Sequence, residues 1–183
     1  TGPGRPARPT FPPRRGNRMA EFEHSMTVRA SADQVFAFVS DVQNLPKYLP
    51  TTKSAQAQGQ DRVRVQGEVR PPDGSGPERR YDSDGYLRRV ADRNRLEWGA
   101  DEGYYSGWLE ARDGGDGHAQ VTVHISLRGT PPGADPKQAP PPEKVQEGLA
   151  ASLESIRRQL EGEGGKVEPS VTTDRGADAR MNV

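Results

Sequence analysis

Histidine and the aromatic residues are the side chains in this 183-residue chain best suited to chemistry. His24 sits in a run where Phe22, His24, Met26 and Val28 alternate with Glu23, Ser25, Thr27 and Arg29, the period of two that marks a half-buried strand. That parity aims His24 inward with the apolar residues. An imidazole placed there titrates near neutrality, so it can accept or give a proton, or hydrogen-bond a ligand carbonyl. The competing reading is a histidine bonded to a neighbouring backbone group, or exposed near the strand start. His24 is therefore a weak catalytic candidate, and no residue is a firm one. His124 has the opposite parity to Val123 and Ile125 and is expected to face solvent.

A second set is aromatic. If Leu87, Leu96 and Leu109 define an inward face, then Tyr81, Trp98 and Tyr105 share it. Aromatic walls with a few polar tips suit a planar, mostly apolar ligand, although the same residues also serve as core filling. Trp108 has parity opposite to Leu109 and belongs on the outer face or under a loop, with Tyr86 and Tyr104 similarly placed.

Several reaction classes lack their residues. The chain has no cysteine, hence no disulfide framework, thiolate nucleophile or cysteine metal site. His24, His118 and His124 lack metal-ligand spacing. Asp82, Asp84, Asp113 and Asp116 lie near glycines without the register of a calcium loop, so they read as solvated turns. No nucleophile elbow, phosphate-binding loop or paired-histidine zinc motif is present. Neither a metal nor a cofactor is expected. Twenty-six basic residues balance 26 acidic ones, so no global field points to nucleic acid or an anionic membrane. No apolar run approaches the ~20 residues that span a bilayer, and no secretory apolar segment is seen near the N-terminus. A cytoplasmic location without integral membrane association is expected.

The elements that must position these side chains follow from periodicity. With hydrophobic content at 31%, low for a globular chain, the core is expected to be concentrated in one segment. Residues 1–19 hold Arg5, Arg8, Arg14, Arg15 and Arg18 with Pro3, Pro6, Pro9, Pro12 and Pro13 and no acid, so a disordered basic leader is expected, extending to about residue 20. Met19 is a candidate start of the native chain. After the first strand, Ser31 and Gln34 make a capping-box pattern ahead of Val35, Phe38, Val39 and Val42, and Asn44, Pro46 and Pro50 yield a second short helix around Leu45–Leu49. Strands follow at Val63–Val69, Tyr81–Leu87, Leu96–Trp98, Tyr105–Ala111 and Val121–Leu127. The loop Pro71–Pro77 is expected to be mobile, and Asp113–Gly117 to be a hairpin turn. A Pro-rich connection, Gly129–Pro142, leads to a helix whose stripe is Val145, Leu149, Leu153, Ile156 and Leu160. Residues 162–183 read as a disordered tail.

Strand, two helices, a run of antiparallel strands and a long helix resemble the helix-grip fold of the START-like, or Bet v 1-like, superfamily (SRPBCC), polyketide cyclase/dehydrase-like subgroup. Ser31-Ala32-Asp33-Gln34-Val35-Phe36, Asp41 to Pro50, Arg95-Leu96-Glu97-Trp98 and Gly148 to Leu153 carry the resemblance, with Tyr48 where the family more often has Trp. It covers roughly residues 20–161 and implies an α+β fold. A curved antiparallel sheet of about six to seven strands would wrap around a long C-terminal helix, with two short helices after the first strand. It also implies an internal cavity between the sheet and that helix.

The expected ligand-binding set is then His24, Met26, Tyr81, Trp98, Tyr105 and Leu109 from strands, with Leu149 and Leu153 from the last helix. The first function expected is holding a small hydrophobic or lipid-like molecule, entered between Pro71–Pro77, Gly99–Gly103 and the last helix, without catalysis. The alternative is a cyclase/dehydratase acting on an aromatic or poly-ketone substrate, with His24 assisting proton transfer. A third class is a macromolecular interaction module using the basic arm. Ligand identity and oligomeric state are not legible in the sequence.

Overall fold

The computed structural model describes residues 19–69, 76–128 and 141–162. Expectations for the leader before Met19, the tail after Gly162, the Gly129–Pro142 connection up to Pro140, and residues 70–75 of the Pro71–Pro77 loop lie outside these residues. The first strand, β1, runs Met19–Val28. Met19, placed at the end of the leader by its sequence, is in the ladder opposite Arg128, and Ala20 is opposite Leu127.

Helix α1 (Ala32–Val39), a 3-10 turn (Val42–Asn44) and helix α2 (Leu45–Tyr48) follow. Then come β2 (Thr52–Ala57), β3 (Arg62–Val69), β4 (Arg79–Val90), β5 (Arg95–Ala100), β6 (Tyr105–Gly115), β7 (His118–Arg128) and α3 (Pro142–Glu161). Seven strands form one sheet in the order β1-β7-β6-β5-β4-β3-β2, every neighbouring pair antiparallel. This is the helix-grip α+β fold, its curved sheet closed on one face by helices. β2 was not expected from its sequence, and the strands around it are longer than the apolar alternation alone marks.

Local chemistry accounts for the entry to this fold. The Ser31 hydroxyl accepts from the Gln34 amide (3.1 Å) while the Gln34 side chain accepts from the Ser31 amide (2.9 Å), closing the capping box at the start of α1. At the other end of α1 the last carbonyls have no helical partner, and three side chains supply one. Asn44 Nδ2 donates to the Phe38 oxygen at 3.0 Å and Tyr48 Oη to the Val39 oxygen at 2.8 Å. From β4, the Arg89 guanidinium donates to the Ser40 oxygen through Nε (3.1 Å) and Nη2. The polar residues of the Asp41–Pro50 segment are therefore joinery: Asp41 caps the 3-10 turn by accepting from the Gln43 amide.

Helix α3 packs along β1, with further contacts to β7, α1 and α2. Near its end, Glu161 accepts from the Arg29 amide at 2.8 Å, which fixes the C-terminus of α3 at the β1–α1 junction and its N-terminus at the opposite end of the sheet. Leu149, Leu153 and Ile156 are buried from this helix. Helix α1 covers β5, β6 and β7 at the junction end, and Val28, Leu96, Ala111, Ala119 and Val121 beneath it are all 2% exposed or less.

Candidate ligand site on the helix-facing side of the sheet

Register decides which side chains meet, because residues directly opposite in a ladder share a face. One row runs Phe22, Ile125, Gly107, Trp98 and Leu87 across β1, β7, β6, β5 and β4. The next row toward α1 runs His24, Val123, Leu109, Leu96 and Arg89. Met26 lies opposite Val121, a fully buried residue of the core, so β1 turns Phe22, His24, Met26 and Val28 toward the helices. Tyr105 pairs with Leu127, and Tyr81 with Gly67, on the same face.

The helix-facing surface divides into two ends. Under α1 it is solid core. Away from α1, Phe22, Tyr81, Trp98, Tyr105 and Ile125 are only half-buried. His24 and Met26 are half-buried too, between the two ends, while Leu109, Leu149 and Leu153 are buried in the core. Of the last two, Leu149 is the nearer to the N-terminus of α3 and thus to the aromatic end.

Two glycines let the aromatic rings lie flat. A Cβ on Gly107 would come within 2.8 Å of the Trp98 indole, and one on Gly67 within 2.6 Å of the Tyr81 hydroxyl. Each ring thus lies across the glycine opposite it, as bulky rings do on bare positions of a curved sheet. The Trp98 indole N–H donates to Tyr105 Oη at 2.7 Å. The Tyr81 hydroxyl donates to the Thr51 carbonyl at 3.2 Å and lies 3.2 Å from Thr52 Oγ1, which can donate to it in turn. Burial pushes the Tyr105 phenol up to about 12 despite the Trp98 hydrogen bond, with the phenols of Tyr81 and Tyr104 adding to the rise. Burial also raises the Tyr48 phenol, with a further contribution from Tyr105. These phenols keep their protons at neutral pH and act as hydrogen-bond groups, not bases.

His24 makes no hydrogen bond among the described residues. Neither does Ser83, which pairs with Val65 and is half-buried on the same face. Sequence reasoning missed Thr52, Ser83 and Arg89 as inward-facing polar groups. Parity with Tyr81 was the available signal for Ser83, whereas Thr52 lies in a strand with no alternation to read. Arg89 is spent on the end of α1.

The outer face holds a separate network. His124 is there, but half-buried: its ring stacks on Trp108 with centroids 5.3 Å apart, so the expectation of a solvent-facing side chain holds only in part. Its Nδ1 is 3.4 Å from Glu23 Oε2, ion-pair reach without hydrogen-bonding geometry. The Arg95 guanidinium carbon also lies over the Trp108 ring, 4.3 Å from its centroid. His118 Nδ1 contacts the Asp116 carbonyl at 2.9 Å in the β6–β7 turn. Asp82 is bonded to Arg64. Among the described residues no group of three or more His, Cys, Asp or Glu side chains is placed to hold a metal, and no helix is long and apolar enough to cross a membrane.

The same architecture recurs in solved structures. A START superfamily protein from Mycobacterium smegmatis superposes with a TM-score of 0.57 at 18% identity, covering 76% of this chain and 98% of that one. The Zhui aromatase/cyclase of a Streptomyces species gives 0.54 at 22% identity, covering 79% and 94%. The di-domain ARO/CYC StfQ from the steffimycin biosynthetic pathway gives 0.58 at 15% identity, covering 76% of this chain and 44% of that one. At these identities the likeness is one of fold. No curated protein matches the sequence. The family model described as polyketide cyclase / dehydrase and lipid transport matches residues 19–161, which takes in every strand and helix described above. The chain belongs to that polyketide cyclase / dehydrase and lipid transport family.

Proposed function

We propose that the protein holds a small hydrophobic, lipid-like or aromatic molecule between the sheet and the N-terminal half of α3, and that holding is its role. One observation carries this reading: Phe22, Tyr81, Trp98, Tyr105 and Ile125 stay half-buried together at the end of the sheet that α1 leaves uncovered. Apolar side chains arranged on the inside of a fold yet incompletely buried are what a ligand completes. His24, Met26 and Leu109 continue this surface toward the core, and Leu149 and Leu153 face it from α3. The family match, which spans lipid transport, supports the same reading.

The test is native mass spectrometry of the protein purified from its own host, where an adduct of hydrophobic small-molecule mass is expected. Tyr81→Ala and Trp98→Ala variants should lose that adduct. Protein that carries no such molecule, and that takes up none from a host lipid extract, would overturn the proposal.

Cyclase/dehydratase action is the second reading, favoured by one specific feature: the His24 imidazole on the inward face, which has no hydrogen-bond partner among the described residues. Its place near the aromatic end suits proton transfer during aldol closure and dehydration of a poly-ketone. The buried Tyr105 phenol keeps its proton, so His24 would carry both proton steps. A His24→Ala variant that turns over such a substrate as fast as the wild type sinks this reading.

A further inference from the structure

The polar tips on the helix-facing surface are not equivalent, and their existing bonds determine what a ligand must offer. Tyr81 and Thr52 satisfy each other and the Thr51 carbonyl. Arg89 is bonded to the Ser40 carbonyl. Arg79 shares the parity of Tyr81 but is exposed at the open end of β4. Tyr105 differs from all of these. Its oxygen already accepts from the Trp98 indole at 2.7 Å, and an indole N–H can only donate. The remaining function of the phenol is its own O–H, which no acceptor among the described residues takes. Accepting one hydrogen bond also makes that O–H a better donor. Its depth in the protein keeps it protonated, as its pKa near 12 reflects.

We infer that the Trp98–Tyr105 pair makes this site selective for uncharged ligands whose buried end carries a hydrogen-bond-accepting oxygen, such as a ketone or ester carbonyl, with Tyr105 as the specificity-determining donor. Ser83 and His24, on the same face and without hydrogen-bond partners among the described residues, add further donors. A carboxylate end is disfavoured, because the Arg89 guanidinium that reaches in from β4 is committed to the Ser40 carbonyl and a buried charge without a partner is costly. A hydrocarbon end is disfavoured less, since it leaves only the Tyr105 O–H unpaired.

This inference rests on the ligand-holding reading, and one experiment separates the two. Equilibrium dialysis of the full chain against 2-acetylnaphthalene, 2-ethylnaphthalene and 2-naphthoate compares a carbonyl, a methylene and a carboxylate on the same ring. The ketone should bind about tenfold more tightly than the ethyl compound, as one well-placed hydrogen bond permits, and the carboxylate should bind more weakly than either. In Tyr105→Phe the affinity for the ketone should fall to that for the ethyl compound. Equal affinity for the three, carboxylate binding as tight as ketone binding, or a gap that survives in Tyr105→Phe each overturns the inference while the ligand-holding reading stands. No binding of any probe at ~1 mM overturns both. Should Tyr105→Phe fail to fold, the wild-type ranking alone decides.

Discussion

Glu110 shows how a single side chain on the outer face of the sheet is held as an ion. Its side chain is only 9% exposed, with Arg112 Nε at 2.5 Å and Arg95 Nη1 at 3.5 Å. Burial alone would raise its carboxyl, but hydrogen bonds and charge from Arg112 and Arg95 outweigh it and hold the group below its ordinary 4.5. A carboxyl depressed by folding contributes stability that is present above its unfolded value and lost as the pH falls through the folded one. Stability should therefore decline below about pH 4.5, and Glu110→Gln should flatten that decline while lowering stability near neutrality by about 2 kcal/mol. Asp82, Asp101 and Glu154 are lowered too, by Arg64, Arg62 and Arg157 respectively, but Asp82 and Asp101 are exposed and Glu154 only half-buried, so these pairs are screened in ~0.5 M salt. Urea unfolding from pH 3 to pH 7 in that salt checks the expectation. Parallel curves for variant and wild type would refute it.

At the scale of elements, the joint between α1 and α2 explains what the Asp41–Pro50 segment does. Its helix breaks and capping pattern are legible in the sequence, because Pro, Asn and the Ser31–Gln34 pair act on neighbours three or four residues away. The reason for Tyr48 is not. Its hydroxyl serves a carbonyl nine residues back, and the Arg89 that serves Ser40 comes from a strand 49 residues on. β2 was illegible for a related reason: Thr52-Lys53-Ser54-Ala55-Gln56-Ala57 has no apolar alternation, and its pairing with β3 is what makes it a strand. The aromatic face was legible by parity, whereas the Trp98–Tyr105 hydrogen bond needs the register that sets the two strands side by side. Removing the Tyr48 hydroxyl tests the joint. Tyr48→Phe leaves the Val39 carbonyl unpaired beside a buried ring, so unfolding free energy should drop by about 1.5 kcal/mol. Arg89→Met should cost less, about 1 kcal/mol, because Arg89 is an exposed residue whose bond to the Ser40 carbonyl is only part-buried. Chemical denaturation measures both, and a Tyr48→Phe protein as stable as wild type would show that the hydroxyl is not holding α1.

Across the whole molecule, stability and binding are expected to separate along the length of the sheet. The end beneath α1 is closed: Leu96 is 1% exposed and Val121 fully buried. At the other end Phe22 and Ile125 pack against the core cluster from half-buried positions, where α3 begins and α1 does not reach. α3 links the two, since its last residues fasten to Arg29 while Leu149 lies toward its start. The same kind of truncation should therefore have opposite consequences at the two ends. Leu96→Ala should cost about 2–5 kcal/mol of stability, as a cavity opens in tight packing. Phe22→Ala removes a ring that still touches water and should cost only about 1 kcal/mol, yet weaken binding of a hydrophobic probe severalfold by stripping one wall of the site. Leu96→Ala protein that is still folded should bind the probe nearly as wild type does. Paired denaturation and dialysis measurements on the two variants decide the matter. If Phe22→Ala proves as destabilising as Leu96→Ala and leaves probe affinity unchanged, the aromatic end is ordinary core and the ligand must lie elsewhere.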